Sequence, residues 1–213
     1  MLFLNTHTHI SKHSSTEILQ GHENEPTNKF HSLGIHPWDA ERFSLSHEQL
    51  IQNVLDFPAC LAIGEIGLDG LKGPNLDVQK AAFIAQINIS EEYQLPVIIH
   101  CVKAWNELKT IKQSLNPTQK WIYHGFAQSA IVQEVIQQGM MISLGSAIMK
   151  HPKNQFIVDA IPDDRLLLET DDRDIEIIEI YETVARLKQI SLQELTTLVT
   201  KNFKNTFQKW HIG

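Results

Sequence analysis

Histidines and carboxylates close a series of short apolar runs in this chain. His7 and His9 follow residues 2–4, Glu65 follows 60–63, and His100 follows 97–99. His124 follows Trp121–Tyr123, and Asp171 follows Leu166–Leu168. His7 and His9 are two apart, which on an extended chain places both imidazoles on one side with Thr8 facing away. Two imidazoles so placed form a clamp for a borderline cation. A solitary histidine after an apolar run is ordinarily a hydrogen-bonded core residue. Four histidines with two carboxylates are a different matter, because they exceed what one metal needs. Six ligands suit two divalent ions joined by a carboxylate, the arrangement that activates water for hydrolysis.

The elements that position these residues are legible as alternation. Eight apolar runs recur, at residues 2–4, 18–19, 33–35, 60–63, 97–99, 121–123, 140–144 and 166–168. They are short and rich in Ile, Leu and Val, as strands buried on both faces are. Helical patterns lie between most of them. Ser46 and Gln49 fit a capping box ahead of Leu50, Ile51, Val54 and Leu55. Leu76–Tyr93 carries Phe83, Ile84 and Ile87 on one face, residues 104–115 stop at Asn116-Pro117, and residues 130–138 stop at Gly139. Ile177, Tyr181, Val184 and Leu187 share a stripe, and Ser191 with Glu194 caps a last helix. Strand–helix alternation predicts a parallel sheet, and eight strands predict an α/β fold of the (β/α)8 TIM-barrel type as one domain over residues 1–213. In such a barrel all six candidate ligands stand at the C-terminal ends of strands, at one mouth. An open doubly wound sheet is the alternative. Residues 10–32 are polar and predict no helix, so the barrel is shortened between strands one and two.

Composition narrows the function classes. The net charge is −7, which offers no extended basic surface for duplex nucleic acid. No apolar run spans a bilayer, and the first residues lack a basic segment of the signal-peptide kind, so a cytoplasmic place is expected. The two cysteines, Cys60 and Cys101, sit in apolar surroundings outside any Cys-x-x-Cys pair and read as buried thiols. Nothing predicts a stable protein partner.

Six segments in order resemble the TatD-type deoxyribonucleases, amidohydrolase-like metal-dependent hydrolases. They are Asn5-Thr6-His7-Thr8-His9, Gly34-Ile35-His36-Pro37, Gly64-Glu65-Ile66-Gly67-Leu68-Asp69, Pro96-Val97-Ile98-Ile99-His100, His124-Gly125-Phe126 and Glu169-Thr170-Asp171. The likeness runs from Met1 to the Asn202-Phe203 region. It implies metal ligands at His7, His9, Glu65, His100, His124 and Asp171, with Glu65 as the bridging carboxylate. It implies catalytic roles for Asp171, which also orients the attacking water, and for Glu65. It implies two divalent ions (Mg, Mn or Zn) and a nucleic acid or other phosphodiester substrate. A metal lowers the pKa of water so that a nucleophile exists near neutral pH, and a second neutralises charge on the phosphoryl oxygens.

The chain departs from the family pattern in several places. Asn5 stands where the first motif begins with Asp. Cys101-Val102-Lys103 replaces a Ser-Arg continuation, so a planar phosphate fork is absent and Lys103 substitutes as a point charge. Ala127-Gln128-Ser129 follows the strand-six motif, and Asp172-Arg173 follows the final Asp in place of Ala-Pro. Substrate contacts are expected from His36 and Lys103. Asp69 reads as the cap of a turn in preference to a partner for a ligand histidine. Trp38 and Trp105 are candidates to stack a base, with at least one of them packing against the barrel wall. The remaining histidines, His13, His22, His31, His47, His151 and His211, follow no pattern and read as surface or structural.

A metal-dependent phosphodiesterase is therefore the leading expectation, acting on single strands or ends because the chain is acidic and the mouth narrow. A carboxyl ester or amide hydrolase and a metal-binding protein without activity are the alternatives.

Overall fold

The computed structural model describes residues 1–13, 16–21 and 29–210, with the backbone alone at 45 and 46. Eight strands run in the sheet order of the chain: β1 (Asn5–Thr8), β2 (Glu17–Gln20), β3 (His31–Leu33), β4 (Cys60–Asp69), β5 (Val97–Val102), β6 (Trp121–Tyr123), β7 (Met141–Leu144) and β8 (Leu166–Leu168). The helices are α1 (Phe43–Asp56), α2 (Leu76–Tyr93), α3 (Trp105–Leu115), α4 (Val132–Gln137), α5 (Ala147–Lys150), α6 (Asn154–Ala160), α7 (Ile177–Lys188) and α8 (Leu192–Thr206). Sequential strand order with parallel pairing and intervening helices is the (β/α)8 barrel class. A doubly wound sheet would reorder its strands and is excluded. No helix among the described residues is long and apolar enough to cross a membrane.

The chain divides into two compact units, Met1–Leu19 with Ile122–Gly213, and Gln20–Trp121. In the first, β1 and β8 are tied by the parallel bridge Thr8↔Asp171 and by hydrogen bonds from His9 N to Asp171 O and from Asp171 N to His7 O, both 3.0 Å. β1 begins later than the apolar run at residues 2–4 suggests. The Tyr181 hydroxyl accepts from Leu4 N and donates to Leu4 O, both at 3.0 Å, so Leu4 has no backbone group left for a ladder. The polar residues Asn5, Thr6, His7 and Thr8 are the buried strand instead. Between β1 and β2 no helix occurs among the described residues. Glu17 organises that connection by accepting from Ser11 Oγ at 2.6 Å, Lys12 N at 3.2 Å and His13 N at 3.0 Å. The final helix starts at the expected capping box, with Ser191 Oγ accepting from Glu194 N and Glu194 Oε2 accepting from Ser191 N.

In the second unit, α1 starts at Phe43, ahead of the Ser46 cap read from sequence; the Ser46 side chain lies outside the described residues. A 3₁₀ turn at Pro37–Arg42 precedes it, and the His36 ring caps that turn by accepting from Trp38 N at 3.3 Å. β4 continues to Asp69, well past the apolar run that reveals it. Its register against β5 moves from Ile63↔Val97 to Ile66↔Ile99, three residues opposite two, so Gly64 and Glu65 form a bulge. Bulges beside active sites re-aim a side chain. The two strands approach so closely at Gly67 that a Cβ there would lie 2.0 Å from His100 O.

Candidate active site

In the first unit the candidate ligands come from β1, the residue after β6, and the segment after β8. His7, fully buried, points a ring nitrogen to within 3.7 Å of Asp171 Oδ1, and His9, more than one-third exposed, reaches the same oxygen at 3.5 Å. The His7 ring meets those of His9 and His124 edge to face, at 5.0 and 4.8 Å between centroids. Ligand atoms of His7, His124 and Asp171 lie within 4.8 Å of one another, a spacing one divalent ion can span. Asp171 holds φ 56°, the left-handed region that Asp and Asn tolerate better than most residues.

Two residues brace this group. Glu169 is completely buried; its Oε1 accepts from Gly125 N and stands 3.3 Å from His124 Nδ1. A carboxylate at Nδ1 keeps the proton there and turns Nε2 outward as a lone-pair donor. Asn5 donates from Nδ2 to Thr170 Oγ1 at 2.8 Å and accepts from Thr170 N at 3.1 Å. It thus fixes the backbone one residue before Asp171, a positioning role that Asn performs with both halves of its amide. The sequence placed Glu169 in a motif without giving it a role. The available signal was a carboxylate directly after a wholly apolar strand, where burial demands a partner.

In the second unit Glu65 sits in the β4 bulge. Its Oε1 is 2.7 Å from His100 Nδ1 and 3.3 Å from His36 Nε2, and His36, Glu65 and His100 form a second group of convergent ligand atoms. Glu65 N donates to Gln20 Oε1 at 2.7 Å, and Ser32 Oγ donates to the same oxygen at 3.2 Å. Gln20 therefore orients the bulge; nothing in the sequence pattern marked it.

Asp69 does both things between which the sequence reading chose. Its Oδ1 accepts from Leu71 N at 2.8 Å and Lys72 N at 3.1 Å, which is the turn. Its Oδ2 accepts from Trp38 Nε1 at 2.7 Å and stands 3.1 Å from His100 Nε2. The preference for a turn alone is corrected, because a carboxylate has lone pairs for both tasks. Burial opposes its charge, but hydrogen bonds from Trp38, Leu71 N, His100 and Lys72 N outweigh burial and hold the carboxyl below the usual range. Gln79 on α2 fixes the turn, accepting from Asp69 N and donating to the carbonyls of Asp69, Lys72 and Pro74.

The expected ligands thus divide between the units: His7, His9, His124 and Asp171 in one, Glu65 and His100 in the other. His36 has its Nδ1 occupied as an acceptor, so a neutral ring carries its proton on Nε2, facing Glu65. Lys103 is exposed in the turn after β5 with φ 50°. Trp105 is buried and packs, whereas Trp38 remains nearly half exposed. Cys60 and Cys101 are buried thiols outside any disulfide. His22 and His211 lie outside the described residues.

A family model described as TatD related DNase matches residues 2–208. The chain is 32% identical over 200 residues to an uncharacterized metal-dependent hydrolase, YabD, of Bacillus subtilis (strain 168), covering 83% of this chain and 76% of that protein. It is 31% identical over 170 residues to the 3′-5′ ssDNA/RNA exonuclease TatD of Rahnella sp. (strain Y9602), covering 77% of this chain but 65% of that one. Among solved structures, the TatD homologue YjjV of Escherichia coli K12 aligns with a TM-score of 0.75 at 25% identity, over 84% of this chain and 76% of that one. A TatD family hydrolase from Entamoeba histolytica aligns at 0.72 with 22% identity, over 83% and 74%, which bears on the fold. With the sequential eight-stranded sheet and ligand groups at its strands, these matches place the chain in the TatD related DNase family.

Proposed function

We propose that this chain is a metal-dependent phosphodiesterase acting on single-stranded ends of nucleic acid, in the cytoplasm, with two divalent ions. The observation that carries this reading is the group His7, His124 and Asp171, with His124 backed by the buried Glu169. One ion is assigned to that group with His9 beside it, and the other to Glu65 and His100. The ions, Mg, Mn or Zn, would lower the pKa of water and neutralise phosphoryl charge. Asp171, its side chain about one-third exposed, is the base that accepts the proton of the attacking water. His36, with its proton on Nε2, donates to a phosphate oxygen rather than ligating metal. Lys103 supplies a point charge where the planar guanidinium of the family pattern is missing. The printed name of the Rahnella relative, an exonuclease on ssDNA and RNA, supports the choice of single strands.

The second reading, hydrolysis of a carboxyl ester or amide, is favoured by that missing guanidinium. One assay separates the readings: end-labelled short DNA and RNA strands, a covalently closed duplex, bis-p-nitrophenyl phosphate and p-nitrophenyl acetate, each with Mg²⁺, Mn²⁺ and Zn²⁺. Phosphodiester cleavage that favours short strands is expected. Faster attack on the closed duplex removes the strand preference, turnover of the acetate alone moves the chain to the second reading, and silence on every substrate leaves a metal binder.

A further inference from the structure

We propose that the Trp38 indole is the stacking platform for the terminal nucleobase of the substrate, an inference that rests on the phosphodiesterase reading. Trp38 is 46% exposed, while Trp105, Trp121 and Trp210 are buried. Singly exposed apolar residues are ordinary on protein surfaces. Trp38 differs in being held. Its Nε1 donates at 2.7 Å to Asp69, a buried carboxylate whose same oxygen lies 3.1 Å from His100. Its ring meets His36 edge to face at 4.6 Å between centroids, and its backbone packs where a Cβ on Gly73 would come within 2.9 Å of Trp38 Cα. One carboxylate oxygen therefore separates the indole from a candidate metal ligand, and the ring is fixed before any substrate arrives.

The chemistry of the surroundings selects a nucleobase as occupant. Stacking on an indole suits any base, because every base has a π-face. Lys72 Nζ lies over one face of the ring, 4.4 Å from its centroid, so a base would stack on the opposite face with this positive charge close to its phosphate. A flat face and a cation beside a candidate metal group match a nucleotide, and the composition supplies no basic surface that would hold a duplex instead.

The test compares two oligonucleotides that differ only at the attacked end, one terminating in thymidine and one in an abasic tetrahydrofuran nucleotide. Wild-type kcat/KM should favour the thymidine end by about tenfold or more, the scale of one base–aromatic stack. Trp38→Ala should bring the two ends to near parity, mostly through KM, while Trp38→Phe keeps most of the preference because a ring remains. Independently of turnover, a non-hydrolysable phosphorothioate strand ending in 5-bromodeoxyuridine should quench tryptophan emission in wild type and not in Trp38→Phe. Equal slowing of both ends by Trp38→Ala would reduce Trp38 to a support for Asp69 and overturn the platform, as would a wild type indifferent to the terminal base. If wild type cleaves no phosphodiester, the functional reading has failed, and the quenching experiment alone decides whether Trp38 receives a base.

Discussion

At the scale of single residues, Asp171 carries two constraints that separate its chemistry from its shape. It is the proposed base, and it holds φ 56° between hydrogen bonds to the backbone of His7 and His9. Asn tolerates that conformation, so Asp171→Asn removes the charge with little strain. Its kcat should fall about a hundredfold or more, the scale of general acid–base catalysis, with a melting temperature that is unchanged in metal-free buffer. Asp171→Ala should lose turnover and also melt earlier, because Ala in the left-handed region costs roughly 1 kcal/mol. Near wild-type kcat in the Asn variant would remove Asp171 as the base. His31 makes a prediction in pH. Burial pushes its imidazole below the ordinary value of 6.5, against an opposing hydrogen bond to Lys29 O. As pH falls below about 6.5 the unfolded chain takes up the proton first, so this residue's contribution to stability is full above that pH and declines below it. The difference in stability between wild type and His31→Phe should therefore change with pH between about 6.5 and 5 and be flat above 7. A difference constant across that range would mean the ring is not held neutral.

At the scale of elements, the same residue types that reveal strands also conceal their edges. Apolar residues 2–4 suggest β1, yet the strand is the polar, buried Asn5–Thr8, because the Tyr181 hydroxyl occupies both backbone groups of Leu4. That contact spans 177 positions in sequence, so no local pattern announces it. Tyr181→Phe keeps the ring and removes the hydroxyl, leaving two backbone groups of Leu4 unsatisfied. A loss of about 1–3 kcal/mol in denaturant unfolding is expected, and an unchanged midpoint would deny the Tyr181–Leu4 contact any structural weight. β4 was legible only as far as Ile63, since Gly64, Glu65, Gly67 and Asp69 break an apolar run. Those residues shape the part of the strand assigned to the proposed site: a bulge at Glu65, a glycine that lets β5 pass, and a carboxylate at the end. The capping box at Ser191 was legible because both partners lie within four residues, and the amides of Gln20 and Gln79 were not, because their partners are set by the fold.

At the scale of the whole molecule, strand order and the list of candidate ligands were open to sequence reading, because alternation fixes topology and strand ends fix where ionisable residues emerge. What supports those ligands was largely closed to it. Glu169 behind His124, Asp69 behind His100 and Asn5 behind Thr170 act through tertiary contacts. The division into two units gives the ligand set a testable consequence. His7, His124 and Asp171 belong to one unit, and Glu65 and His100, with His36 beside them, to the other, so each unit contributes its own group. Wild type is expected to bind two equivalents of Zn²⁺ or Mn²⁺ by calorimetry and elemental analysis after dialysis. His124→Asn should keep one equivalent, His100→Asn should keep one, and the double variant none. Because an ion that binds only the folded chain stabilises it by mass action, metal at a hundred times its Kd should add about 2.7 kcal/mol per independent site. A chelator should lower the melting temperature of wild type, should lower that of either single variant by less, and should leave the double variant unchanged. Asn fills much of the volume of His without offering an imidazole nitrogen, so all three variants should still melt cooperatively without metal. Two equivalents retained by His124→Asn would take that residue out of the ligand set; none retained would show that the second group cannot hold an ion without the first.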